Sequence, residues 1–136
     1  HAPPPVAAPG EYLYEPDGAV IRAGLVPAVA EAGGGWRLHD HVAYLSASGL
    51  VGTPFAHAFR VEEVLPYDEK ALRGWVRKRR VGVLEIKKRG VDADPAALRK
   101  RLRPQGPNSA TLVLTPTASG AVVLVVSRAP TTADGR

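Results

Sequence analysis

The chain contains no cysteine. That excludes disulfides, a thiolate nucleophile and any cysteine-based zinc site, and fits a cytoplasmic protein. Aromatic residues make up only 6% of the chain. Single-stranded nucleic acids are gripped by stacking bases on aromatic rings, so that mode has little to work with. No apolar run approaches the roughly 20 residues needed to span a bilayer, so no membrane partner is expected. There is no serine elbow and no cofactor fingerprint. The single glycine run, Gly33-Gly34-Gly35, follows a helical pattern. A phosphate-cradling loop instead follows a strand and opens a helix. No catalytic, cofactor-binding or metal-ligating set is therefore expected.

What the chain does have is polarised charge. Its 136 residues carry a formal charge of +5. Arg73 to Arg103 holds twelve bases and three acids, a balance of +9, whereas residues 1–72 hold four bases and nine acids, a balance of −5. A concentrated basic face attracts and holds polyanions. Two readings stand. In one, Arg77, Arg80, Lys87, Lys88, Arg89, Arg99 and Arg101 contact phosphates. In the other, they are the solvated surface of an ordinary small core. The one aromatic inside the stretch, Trp75, sits in register with the helix core. That favours backbone and shape recognition over base stacking.

Length and a 45% hydrophobic content predict one globular domain. His1 and the Pro/Ala-rich stretch after it read as linker or remnant over 1–10, in keeping with a cut inside a longer protein. Residues 11–129 form the domain: a helical lead-in over 11–35 and an α+β core over 36–129, followed by a flexible tail over 130–136. In the lead-in, Val20, Ile21, Leu25, Ala28 and Val29 recur at helical spacing, Pro16 suits a first turn, and Pro27 breaks the helix near 24–26. Strands are expected at His41–Ser46 and Phe59–Leu65, with Pro54 and Pro66 outside them. Asp68 caps a helix from Glu69 to about Arg80, with Leu72, Trp75 and Val76 inward. Arg73, Arg77 and Arg80 share a stripe that like-charge repulsion disfavours.

Val81 to Arg89 alternates as a strand, with Leu84 and Ile86 on one face and Glu85, Lys87 and Arg89 on the other. Asp94-Pro95 starts a helix that ends near Leu102, before Pro104. Leu98 and Leu102 are inward; Arg99, Lys100, Arg101 and Arg103 are outward. A hairpin of 111–115 and 121–126 closes the chain, its second run apolar on both faces. The strand–helix–strand–helix order brings the three basic elements together in space, with helices on one face of a mixed sheet.

Other constellations have simpler readings. His39-Asp40-His41 places two imidazoles on one face but lacks a third ligand. Glu62-Glu63 and Asp68-Glu69 fit exposed strand and helix-start positions better than acid–base work.

Two segments carry a resemblance. Tyr12-Leu13-Tyr14-Glu15-Pro16-Asp17 leads into Ala19-Val20-Ile21-Arg22-Ala23-Gly24-Leu25. Val81 to Asp92, with Glu85-Ile86-Lys87-Lys88-Arg89-Gly90 at its centre, precedes Leu98-Arg99. Together, over about Tyr12 to Arg128, they resemble the C-terminal THUMP-like domain of actinobacterial class I S-adenosylmethionine (SAM)-dependent methyltransferases. The resemblance implies a THUMP-like or ferredoxin-like α+β fold, before whose sheet the spacing over 11–35 places short N-terminal helices. It implies a methyltransferase domain upstream in the parent protein that holds the SAM. It also implies an RNA partner, tRNA in particular, presented to that domain. The alternative is a docking module without RNA binding, packing on the methyltransferase domain or a dimer partner through Tyr12 and Tyr14.

Overall fold

The computed structural model describes residues 6–16, 21, 23, 35–39, 44–48 and 56–128. Among them the elements run β1 (Tyr12–Pro16), β2 (Trp36–Arg37), β3 (Leu45–Ala47), β4 (Ala56–Pro66), α1 (Glu69–Lys78), β5 (Val81–Lys88), α2 (Pro95–Leu102), β6 (Asn108–Thr117) and β7 (Gly120–Arg128). The seven strands form one sheet in the order β2-β3-β1-β4-β7-β6-β5. β5 and β6 pair in parallel, and every other neighbouring pair is antiparallel. β4 and β6 both oppose β7, so β4, β5 and β6 point the same way. Helix α1 therefore carries the chain from β4 past two strands to the sheet edge, and α2 is the β5-to-β6 crossover. This is the expected α+β mixed sheet.

Both helices pack on one face. Leu72 and Val76 of α1 and Leu98 and Leu102 of α2 meet Leu84, Ile86, Leu112, Leu114, Val123 and Val125. The opposite face buries Leu13, Leu38, Tyr44, Phe59, Val113, Leu124 and Val126. Strand alternation thus sends Val123 and Val125 one way and Leu124 and Val126 the other, which is why β7 reads as continuously apolar. Each such side chain contributes about 1.5–3 kcal/mol of burial.

The helix starts follow the sequence. The Asp68 carboxylate accepts from the Ala71 N–H at 2.8 Å. Asp94 accepts from Ala96 N–H at 3.0 Å, ahead of Pro95 in the first turn. Each satisfied cap contributes about 1 kcal/mol.

Three expectations fail. Residues 12–16, assigned to a helical lead-in, form strand β1 between β3 and β4. The alternation Tyr12-Leu13-Tyr14 puts Leu13 opposite Phe59 and Tyr14 opposite Ala58. Aromatic side chains fit that pleated surface better than a helix. Pro16 ends the strand, where its missing N–H breaks no interior ladder bond. Apart from Glu11, Ile21, Ala23 and Gly35, the rest of the lead-in lies outside the described residues. The same strand-end logic admits Pro66, which closes β4 opposite Val122. Val6 to Gly10, read as linker, lies along the β2 edge. Val6 bridges Arg37 in parallel, Ala7 N–H donates to the Arg37 carbonyl at 2.9 Å, and Gly10 N–H donates to Ser46 Oγ at 2.7 Å. The Pro/Ala composition does favour extended chain, and here extended chain adds to a sheet edge. Of the expected strand at 41–46, Leu45 and Ser46 lie in β3, and 41–43 fall outside the described residues, as do the tail and residues 1–5.

The sheet is curled. Four strand spacings separate β1 from β5, about 19 Å on a flat sheet. Extended lysine and glutamate side chains meeting end to end cannot cover that. Yet Lys87 of β5 reaches Glu15 of β1 at 3.6 Å, and its ammonium sits 5.2 Å from the Phe59 ring centre on β4.

Candidate nucleic-acid interface

The basic stretch spans α1, β5 and α2, and it divides between two ends of the sheet: the helix ends meet at the start of β5, whereas Lys87, Lys88 and Arg89 lie at its far end beside Leu114. Helices α1 and α2 each hand the chain to the start of a parallel strand, and those starts, Val81 and Asn108, are register partners. The two helix-to-strand turns touch directly. Asn108 N–H donates to the Arg80 carbonyl at 3.1 Å, and its side-chain amide donates to the Arg79 carbonyl at 2.8 Å. Gly82 and Gly106 allow the approach: a Cβ on Gly82 would run into the Gly106 carbonyl, and one on Gly106 into the Arg80 carbonyl.

The seven residues expected to contact phosphate divide into two groups. Lys87 and Arg89 share the Glu15 carboxylate, each at 3.6 Å. The Tyr44 hydroxyl donates to the same carboxylate at 3.4 Å. Burial, then the Glu15 charge, push the Tyr44 hydroxyl well above its ordinary ionisation range, so it stays a donor. Lys87 also lies over Phe59, with Arg128 near that ring too. Arg101 binds Glu69 at 2.7 Å, and Glu69 also holds Arg73 at 3.0 Å. These cations are partly neutralised and tie elements together. Arg77, Arg80, Lys88 and Arg99 are exposed and form no ion pair among the described residues. Lys78, Lys100 and Arg103 are equally exposed and unpaired.

Two of the free arginines have an unusual backbone. Arg80, the last residue of the α1-to-β5 turn, and Arg103, the C-cap of α2, have φ of 54° and 53°, in the left-handed region. Arg80 therefore leaves the helical stripe expected to join it to Arg73 and Arg77.

Several acidic residues beside the basic face are committed. Glu63 accepts from the Trp75 indole at 3.1 Å and from Arg79 at 2.6 Å. Glu62 accepts from Ser127 Oγ at 2.7 Å, and Asp68 is the α1 cap. Among the described residues no group of three histidines, aspartates or glutamates could hold a metal. His39 is described, but Asp40 and His41 are not. What the surface offers chemically is fixed positive charge.

Sequence reasoning did not find Glu15 as the partner of Lys87 and Arg89. Seventy-odd residues of chain separate them, and only the curl of the sheet joins them. It did place Arg103 outward but had no reason to single it out; the signal is an arginine where a helix-ending glycine is usual.

The THUMP domain-like family model matches residues 56–128, and the chain belongs to that family. Two Mycobacterium tuberculosis proteins, from strains CDC 1551 and H37Rv, are each 41% identical over 113 residues. Each is named an uncharacterized S-adenosylmethionine-dependent methyltransferase, and the match covers 83% of this chain and 31% of theirs. This chain thus spans about a third of the length of the curated relatives it matches. The crystal structure of a "putative methyltransferase" from Porphyromonas gingivalis W83 superposes with a TM-score of 0.75 at 26% identity, covering 94% of this chain and 31% of that one.

Proposed function

We propose that this chain is the C-terminal accessory domain of a SAM-dependent methyltransferase and that it binds and positions RNA, tRNA among the candidates, through its basic face. The methyltransferase names of its relatives and its THUMP-like family support the first half. The second half rests on one observation. Seven exposed cations, Arg77, Lys78, Arg80, Lys88, Arg99, Lys100 and Arg103, have no acid partner among the described residues, while five others in the same stretch do. Contacts fall first to Arg77, Arg80, Lys88 and Arg99; Lys87, Arg89 and Arg101 would have to leave a carboxylate to join them. Such contacts position a nucleic acid without reading its sequence. The methyl donor belongs to the upstream domain in this reading. Among the described residues, the strand-to-helix turns Tyr67-Asp68 and 89–94 lack the glycine-rich form that cradles a nucleotide.

Docking through Tyr12 and Tyr14 is less well supported, because Tyr14 is only 5% exposed within the domain itself.

The test is binding of the chain to bulk tRNA across a salt series. Release of counterions from several phosphates makes log affinity fall with log salt by roughly 0.7–0.9 per contact. A slope of about 3 or more supports the reading. Absence of binding at low salt refutes RNA binding by this domain and leaves docking within the parent protein.

A further inference from the structure

The basic face contains far more cations than a small interface can use, and their local settings differ. Most have a reason to exist without any ligand. Arg77, Lys78, Arg99, Lys100 and Arg101 lie in the last turns of α1 and α2 or just before them, where the helix dipole favours positive charge. Lys87 and Arg89 hold Glu15.

Arg80 and Arg103 share that helix-end position, but they alone hold it at a cost to the backbone. Both occupy left-handed backbone within two residues of a helix end. Glycine is the ordinary residue there, because a Cβ in that conformation crowds the carbonyl. Local structure thus selects against arginine at both positions. Neither guanidinium has a hydrogen-bond or ion-pair partner among the described residues, so neither gains a compensating contact within the fold.

The two are also neighbours. The Gly106 backbone lies against that of Arg80, and Gly106 follows Arg103 by three residues. Three residues of chain span at most about 11 Å. Two long side chains leave adjoining turns at the same end of the sheet, anchored to each other through Asn108.

We infer that Arg80 and Arg103 form a paired phosphate clamp, held by the β5 and β6 starts, that grips the backbone of structured RNA. Lys87 and Arg89 are structural and lie outside the contact. This rests on the RNA-binding reading above and narrows it to two turns. The absence of an exposed aromatic in either turn fits a double-helical backbone and not stacked single-stranded bases.

Glycine provides a test free of misfolding, since it suits both backbones. Arg80→Gly/Arg103→Gly in the 136-residue chain is compared with Lys87→Gln/Arg89→Gln and wild type, against bulk tRNA across a salt series, with thermal melts alongside. Loss of two contacts lowers the salt slope by about 1.4–1.8 and the affinity by about 25- to 60-fold at 0.1 M salt. The glycine variant is expected to show that loss while melting no lower than wild type. The glutamine variant is expected to melt lower and keep the wild-type slope. Tight wild-type binding with an unchanged slope in the glycine variant overturns the clamp and spares the broader RNA reading. No wild-type binding overturns both. A glycine variant that melts well below wild type overturns the argument that the fold has no use for these arginines.

Discussion

Glu15→Gln is the most informative single perturbation of this fold. The carboxylate accepts two cations and one hydroxyl at once: Lys87 and Arg89 at 3.6 Å, and Tyr44 at 3.4 Å. The Glu15 side chain is 18% exposed, Lys87 28% and Arg89 48%. At an effective dielectric near 20, each pair attracts with about 4–5 kcal/mol before desolvation. Half-exposed pairs lose most of that to solvent screening and to side-chain entropy, leaving about 0.5–1 kcal/mol each. A weakened hydrogen bond from Tyr44 adds a few tenths to about 1 kcal/mol. The amide also leaves Lys87 and Arg89 facing each other on one side of β5 with no charge between them. The expected loss is about 1.3–3 kcal/mol, or a fall in melting temperature of roughly 4–10 °C for a chain of this size. Urea denaturation measures it directly. A cycle with Lys87→Gln isolates the pair, with an expected coupling of about 0.5–1 kcal/mol that shrinks in 1 M salt. Additivity within about 0.3 kcal/mol would show that the two groups do not stabilise each other. It would remove the reason for treating Lys87 as structural.

Four further outcomes follow from the packing. Leu112→Ala, at a side chain fully buried between β5 and β7, should cost about 2–5 kcal/mol in urea denaturation. Gly106→Ala should prevent soluble expression or cost several kcal/mol, because its φ of 141° and its contact with the Arg80 carbonyl exclude a Cβ. Asp68→Ala should remove the α1 cap and lower stability by about 1 kcal/mol. Above about pH 10 the unfolded Tyr44 ionises, while the folded one is held neutral by burial and by Glu15. Its folded pKa is raised, so its contribution is present below the unfolded value and is lost as pH rises past it. Tyr44→Phe should therefore show a shallower stability decline above pH 10 than wild type, read from thermal melts across the pH series.

What the sequence made legible was local. The Leu84/Ile86 against Glu85/Lys87 alternation, the Asp68 and Asp94-Pro95 helix starts and the two-faced apolar run of β7 each depend on neighbours within a few residues. The misread elements depend on distant chain. Tyr12 to Pro16 became a strand because β3 and β4 flank it, and nothing within the segment announces either partner. Val6 to Gly10 became ordered because the edge of β2 was open to it. The candidate interface followed the same rule. Which residues are basic, and that they cluster, was visible from composition. Which of them are neutralised was not, since that required Glu15 to cross the curl of the sheet and Glu69 to face α2.

That division has a consequence for how such a surface is tested. Charge reversal at Lys87 and Arg89 looks like the natural probe of a basic strand, yet it would set two negative charges against Glu15 beneath the Tyr44 hydroxyl. The variant would lose stability through repulsion whether or not RNA binds there, and weaker binding by a partly unfolded protein would pass for loss of a contact. A neutral substitution at a paired cation, set beside glycine at an unpaired left-handed arginine, separates the two effects because they move stability in opposite directions. For a domain whose function rests on a few phosphate contacts, the ion-pair partners decide which substitutions report on binding.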